Sequence, residues 1–461
     1  MAQQPRPSKP AAPEKQPTDL LSARAGAHRP TGFFDKPGVR KFVRNRTGMA
    51  SLMVISLFVI VAVAIAIPPH LISLDQVQSR VGPGTQPGFG LASDPYSRIE
   101  VAEFFLGEVE KALDSSEPEA ALAELRFAER SVKAMSVEDV ETALDSGYEA
   151  FDLLDEVLIE FEDAEIEVEE LEDDGAEAAE LADARAAVVA ARAEFDTALL
   201  ALETEVDKLF PRPTGWDAFV YKLRLFAGTD RQGRSIAFRA IYSIKTATQI
   251  GMVTALFSII VGAVLGGAAG FFGGLVDHAV VWLYSTLSSI PYIIWLIVIA
   301  FVFRESDWKV PLLGKPVSQT LIPVYIAFSV TLWVGTCRVI RGEAMKIKSM
   351  DYIQSAVSIG ASPFRILIRH VLPNVMYLLF INFSLAFVAA IKGEVILSYL
   401  GLGVPGGQPS WGVMIRDSKE DVVLGVFWEL GAATLMMFIL VYAFNILSDA
   451  LQDAFDPKHV G

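Results

Sequence analysis

The sequence is short of the residues that build most metal and redox sites. Its 461 residues include one cysteine and five histidines. A single cysteine excludes an intramolecular disulfide and any cysteine-cluster metal site, and the scattered histidines argue against a histidine-built one. Charge is scarce too. Only 20% of residues are charged, against 52% hydrophobic, and the mean hydropathy is +0.39. That balance excludes a disordered chain and does not fit an ordinary water-soluble globule. No alternating series of strands and helices is legible, so the framework that usually holds a nucleotide is missing.

What charge there is falls unevenly. Residues 101–200 hold 31 Asp and Glu but 6 Lys and Arg, a local balance of −25. The chain as a whole carries −16, so the remainder carries +9. An acidic block has been set into a mildly basic, apolar chain.

Residues 1–32, rich in Pro, Ala and Gln, lack apolar periodicity and read as a disordered cytoplasmic tail. A basic segment follows (Lys36, Arg40, Lys41, Arg44, Arg46), then about twenty mostly apolar residues from Met49 to Pro69. A helix of that length spans a bilayer core of about 30 Å, and the basic flank places the N-terminus in the cytoplasm. Five more spans are expected near 247–272, 279–303, 320–337, 375–397 and 426–448. Gly262, Gly266 and Gly270 fall four apart in the second, a spacing that lets helix backbones approach closely in lipid. Pro291 lies within the third span and Pro373 starts the fifth, where prolines kink or begin helices. Cys337, ending the fourth, reads as a buried small apolar side chain. If the first span runs outward, the loop from about 338 to 374 lies inside. Its Arg338, Arg341, Lys346, Lys348, Arg365 and Arg369 agree with that orientation. Residues 451–461 form a cytoplasmic tail.

The acidic block, about 95–215, then lies outside. Phe151, Leu154, Leu158, Phe161 and Val168 recur at helical spacing. Leu181, Val188, Phe195, Leu202 and Leu209 recur every seven residues, with Ala184, Ala191 and Ala198 beside them. Asp173, Asp174 and Gly175 offer a turn between the two runs. The pattern predicts an antiparallel helical hairpin, preceded by one or two helices carrying Val109, Leu113, Leu122 and Leu125. Its acidic exterior reads as a solvated face.

The inside loop contains a short stretch of small residues, Gln354-Ser355-Ala356, that ends at Gly360, followed by Ala361, Ser362 and Pro363. Glycine permits a turn through positive φ. Small residues on an exposed helix make a poor core but a good knob for a groove on another protein. Within the fifth span, Asn382, Ser384 and Glu394 are candidates for the pathway or a packed interface, because polar groups at membrane depth are costly. Lys392 and Glu394, two apart, do not face each other on a helix.

This loop resembles the EAA loop of ABC importer permeases. Gln354, Ser355, Ala356 and Gly360 occupy its positions, and Leu372-Pro373 follows at similar spacing. Gln354 replaces the usual Glu and Ser355 the first Ala. Further stretches resemble the dipeptide/oligopeptide branch: Arg44-Asn45-Arg46, Gly228 to Arg234, Ala269 to Gly274 with Asp277, Leu397 to Gly403, Pro409 to Gly412, Phe444-Asn445 and Asp453 to Pro457. Ser235 departs from the usual Asp. The acidic block lies outside the resemblance.

The resemblance implies an all-α polytopic fold, a type I ABC importer permease with six transmembrane helices and an inserted extracytoplasmic helical hairpin, in a bacterial inner membrane. It implies half of a translocation pathway for di- and oligopeptides, completed by a second homologous permease subunit. Two cytoplasmic ATPase subunits would dock on Gln354 to Pro363, and an extracytoplasmic binding protein would deliver solute. ATP and magnesium would belong to those ATPases. This chain would bind no cofactor and no nucleic acid, have membrane lipid around it and perform no covalent chemistry. Gly228, Gly233, Arg234 and Ser235 spell G-x-x-x-x-G-R-S, one residue from a phosphate-cradling loop. The invariant Lys is missing and the following helix leads into lipid, so no nucleotide site is expected. The rival reading is a non-transport scaffold, a membrane-anchored acidic coiled coil, which explains the hairpin but not the loop.

Overall fold

The computed structural model describes residues 37–68, 71–81, 95–127, 130–132, 135–304, 320–405 and 407–455. The tail expected over 1–32 and the end of the tail after Phe455 lie outside the described residues. Among those described, the only sheet is a two-stranded ribbon, β1 (Arg126–Phe127) with β2 (Arg130–Ser131); the rest of the regular structure is helical.

Helix α1 (Pro37–Arg44) leads into α2 (Arg46–Ala66). Asn45 between them caps α2, its side chain accepting from the Gly48 amide at 3.0 Å. At about 1.5 Å per residue, 21 residues reach about 32 Å, enough to cross a bilayer core. The short α3 (Leu74–Gln78) follows.

The acidic block contains α4 (Pro95–Leu113), α5 (Pro118–Glu124), α6 (Val137–Asp173) and α7 (Ala178–Leu209). Ser136 caps α6, and Gly175, at φ 68°, turns the chain. Glu172 meets Arg185 near that turn and Phe161 stacks on Phe195 farther from it, as an antiparallel pair requires. Leu154, Phe161, Phe195, Leu202 and Leu209 are buried in the seam, with Ala184 and Ala198 beside them, and most carboxylates point away. Burying each large side chain contributes about 1.5–3 kcal/mol. Phe105 of α4 closes the base against Phe210, its ring centroid 4.7 Å away. Arg98 and Arg212 both reach Glu203, at 2.6 and 3.1 Å. Burial pushes the Glu203 carboxyl up, but these two guanidiniums outweigh it and hold the group below the usual carboxylate range.

Helix α8 (Gly215–Leu225), which the sequence reading did not anticipate, buries Arg224 and Leu225. It exposes Trp216, Phe219 and Leu223, with Phe226 just beyond its end. Arg224 donates to the Gln76 carbonyl at 2.9 Å, and Val220 packs near Ile65 and Phe238, so α8 lies across the ends of α2 and the next long helix.

That helix, α9 (Ile236–Phe272), begins eleven residues before its expected apolar window, capped by Ser235. It packs along α12 (Ile322–Lys348), which also outruns its window. A Cβ on Gly262 would lie 2.5 Å from that of Thr336, so this crossing requires glycine. The expected third span is broken into α10 (Gly274–Ser288) and α11 (Tyr292–Arg304), bent by 83° at the segment holding Pro291. Proline has no N–H to continue a helix across that point. Helix α13 (Asp351–Ser358) and α14 (Pro363–Ile366) precede α15 (Leu372–Tyr399). Pro373 cannot donate to a preceding carbonyl, and the chain widens into a π turn at Leu367–Val371 just before it. After α16 (Trp411–Asp417) and α17 (Lys419–Val423), α18 (Trp428–Phe455) returns through the bundle. Among the described residues, five helical segments are long and apolar enough to cross a membrane, six with the broken pair. Large apolar side chains stay exposed on the outer faces: Met53, Leu57 and Ile60 on α2, Leu256 and Ile260 on α9, Leu435 and Phe438 on α18. The chain is a multi-pass membrane protein.

Candidate functional site

The bundle has two distinct ends. At one, Lys41 donates to the Asp453 carbonyl at 2.6 Å, and Arg341 of α12 holds Asp277 of α10 through two bonds. The loop carrying α13 and α14 protrudes here. Ile353, fully buried against Ile347, Ile366 and Val371, anchors α13. Asn374 donates to the Tyr352 hydroxyl at 2.9 Å, tying α13 to the start of α15. Helix α13 is therefore fastened to two membrane helices, α12 and α15.

The rest of the loop faces outward. Gln354, Ser355, Gly360, Ser362 and Pro363 are exposed, and Ala356 and Ala361 half-buried. Val357, Ile359 and Phe364 expose large apolar surfaces, Ile359 to 86%. Gly360 sits at φ 84°, and Ala361 donates back to the Ala356 carbonyl at 3.1 Å, the closure expected after a glycine-ended helix. A Cβ on Gly360 would meet nothing within 4 Å, so this glycine is required by backbone conformation rather than by space. Gln354 donates from Nε2 to the Lys348 carbonyl at 2.9 Å, which an ionised Glu could not do. Ser355 donates to the Asp351 carbonyl at 2.8 Å. The two departures from the family pattern are thus used within the loop itself. All seven predicted coupling residues come together in one knob that the other described residues leave largely uncovered.

The three candidates in α15 do not converge. Ser384 and Glu394 are each 1% exposed and Asn382 is half-buried. Ser384 and Asn382 bond to carbonyls one turn back, Phe380 and Leu378. Glu394 accepts from the Ser398 hydroxyl at 2.7 Å and lies against Gly412 of α16. It packs inside this chain, against the segment between α15 and α18.

The opposite end holds a cluster that sequence reasoning missed. Arg239, 2% exposed, donates to Asp230 and Glu429 at 2.5 Å each and to Asp417 at 3.0 Å. Arg234 also binds Asp230, and Arg231 binds Glu420 and Asp421. Asp230 further accepts from the Gln232 and Arg234 amides, so the turn at Gly228–Arg234 is a clamp across α9, α16, α17 and α18. Trp411 reinforces it, donating from its indole to the Ala240 carbonyl at 3.0 Å. A cation and an acid at the heads of two apolar spans, Arg239 and Glu429, were the available signal.

Comparison with known proteins agrees with this architecture. Residues 258–460 match the family of binding-protein-dependent transport system inner membrane components. The chain is 35% identical over 231 residues to the dipeptide transport system permease protein DppC of Bacillus subtilis, covering 50% of this chain and 68% of that one. It is 30% identical to the oligopeptide transport system permease protein OppC of the same organism (50% and 71% covered). It is 31% identical to the glutathione transport system permease protein GsiD of Pectobacterium atrosepticum (50% and 72%). The family match begins after the acidic block, and a scaffold without transport is not favoured. The chain belongs to the inner membrane components of binding-protein-dependent transport systems, the permease subunits of ABC importers of the dipeptide/oligopeptide type.

Proposed function

We propose that this chain forms half of the pathway of an ATP-driven importer for short peptides, and that a second, similar permease subunit forms the other half. The observation that carries the reading is the exposed knob from Gln354 to Pro363, anchored on α12 and α15 and presenting Ile359 and Phe364. Apolar surface of this kind is normally covered by a partner. Two cytoplasmic ATPase subunits are the partners that fit, each pushing a coupling helix so that the attached spans rock as rigid bodies between outward and inward access. ATP and magnesium are held on those ATPases. The similarity to dipeptide, oligopeptide and glutathione permeases supports peptides as the solute class.

In this orientation both termini and the knob are cytoplasmic, while the acidic hairpin and the Arg239 cluster lie outside. The basic residues around the knob support it. The hairpin is either a docking platform for the solute-binding protein or a neighbouring subunit, or a spacer tied to the cell envelope; normal uptake after deletion of residues 100–210 would favour the spacer. The test is cross-linking in the native membrane. Ala356→Cys should cross-link to a copurifying subunit that carries a phosphate-binding loop with its Lys. Purification of the intact protein without any such subunit would overturn the reading.

A further inference from the structure

Helix α15 is the central rod of the bundle, packed by α9, α12, α16 and α18. One row of it stays at least partly open along most of its length, Leu378, Asn382, Leu385, Ala389, Lys392, Ile396 and Tyr399, alternating at fours and threes, while Met376, Phe380 and Phe383 form a second, wholly apolar open row on its first half. The longer row is a stripe that differs from the lipid-facing ones. Those on α2, α9 and α18 present large apolar side chains, such as Leu57, Ile260 and Phe438. The α15 stripe differs by setting an amide, a methyl and an ammonium, at Asn382, Ala389 and Lys392, among apolar side chains such as Leu385. Lys392 is exposed and makes no ion pair with any described residue. A cation five residues inside the outer end of the expected span is tolerated where its ammonium reaches interfacial water, a water-filled cavity or a counter-charge rather than hydrocarbon. Two turns farther along, about 10 Å, the exposed Tyr399 carries the Lys419 ammonium over its ring, 3.8 Å from the centroid. The stripe therefore ends with a second cation at its mouth.

We infer that this stripe lines the aqueous pathway and that Lys392 is a specificity-determining residue, attracting the carboxylate or other anionic group of the solute as it passes. The inference rests on the importer reading and adds a ligand class and a residue to it. Glu394, two residues away, does not neutralise the site, because it is buried on another face with Ser398. Asn382, lower on the stripe, provides a neutral polar surface beyond the cation.

The experiment uses the assembled transporter in membrane vesicles, with Ala389→Cys as the reporter and Ile260→Cys as the lipid-face control. The native Cys337 is fully buried and does not compete. The probes are two membrane-impermeant thiol reagents, sulfonatoethyl and trimethylammonioethyl methanethiosulfonate. Ala389→Cys should react and Ile260→Cys should not. The anionic reagent should be favoured over the cationic one by about tenfold, the scale of charge focusing in a cleft. Adding Lys392→Gln should abolish that preference, and Lys392→Arg should keep it. An unreactive Ala389→Cys, or a preference unchanged by Lys392→Gln, overturns the inference; the latter is expected if an acid of the second permease already pairs with Lys392. Copurification of the ATPase with every variant separates these failures from failure of the importer reading.

Discussion

Gly266 of α9 lies so close to α12 that a Cβ placed on it would sit 2.5 Å from the Cys337 carbonyl oxygen. The obstacle is backbone, which cannot rotate away. Gly262 and Gly270, one turn to either side, meet Thr336 and the Arg341–Ala344 stretch in the same way. Three glycines thus set the separation of α9 and α12. Gly266→Leu is expected to cost at least the 1–3 kcal/mol of an overpacked core. Thermal unfolding of the purified protein should show a lowered midpoint, whereas Gly335→Ala on α12, whose Cβ meets nothing within 4 Å, should leave it unchanged.

Arg239 makes a different demand. Its guanidinium is the shared partner of Asp230, Glu429 and Asp417 in a nearly dry site. Asp230 and Asp417 keep Arg234 and Arg416, but Arg239→Met leaves the buried Glu429 without its counter-charge, at a cost of about 3–5 kcal/mol. The variant should be poorly expressed or unfold early in detergent. Changing Arg239 and Glu429 together to apolar residues should recover part of that loss, which a double-mutant cycle would read directly.

The contrast between these two sites shows what the sequence carries. The Gly262–Gly266–Gly270 contact is written as a four-residue period within one helix, so it is legible without knowing the partner. The hairpin is legible for the same reason, since Phe161 and Phe195 sit on seven-residue seams separated by a local turn at Gly175. The knob is legible because Gly360 and its helix are contiguous. Arg239 and Glu429, by contrast, are 190 positions apart and no period relates them. The burial of Glu394 depends on Ser398 and on a loop that returns from Gly412, so residue type alone left it open between pathway and packing. The break at Pro291 was visible as a proline within an apolar run. Its 83° bend was not, because the angle is set by packing around the break. Helix α8 escaped notice because it is only eleven residues long.

If the knob couples to a motor as proposed, substitution at Gly360 should separate coupling from folding. Its positive φ costs a non-glycine residue about 1–2 kcal/mol locally, with no steric collision to disturb the bundle. Gly360→Val should therefore insert and accumulate normally but lose peptide uptake and solute-stimulated ATP hydrolysis. Gly360→Asn, which tolerates the left-handed region, should keep most of both. Full uptake by the Val variant at normal expression would count against force transfer through this turn.

Glu203 links the hairpin to pH. Its carboxyl is held below the usual range by Arg98 and Arg212, so the folded form binds its proton more weakly than the unfolded chain does. The stabilisation is present above the ordinary glutamate value and is lost as pH falls through the folded one. Glu203→Gln should accordingly destabilise the hairpin at neutral pH, and the gap from the wild type should close toward pH 3. Hydrogen exchange of the α7 amides, corrected for intrinsic rates, measures it. A gap that persists undiminished in acid would assign the effect to packing instead.

The turn at Asp173–Gly175 offers a test of which way the protein faces. Residues 172–175 are exposed, and Gly175 interrupts two long helices at their far tip. An unfolding of one or two residues there is enough to admit a protease, while the flanking helices resist it. If the basic loop around Arg365 and Arg369 is cytoplasmic, an odd number of crossings puts this tip outside. Protease added to intact spheroplasts should then cut near Asp174 and leave the loop around Gly360 whole. In inverted vesicles the pattern should reverse, with cleavage at the exposed knob and a protected tip. Cutting of the tip from the cytoplasmic side alone would invert the assignment and place the knob around Gly360 on the wrong side of the membrane for any cytoplasmic motor.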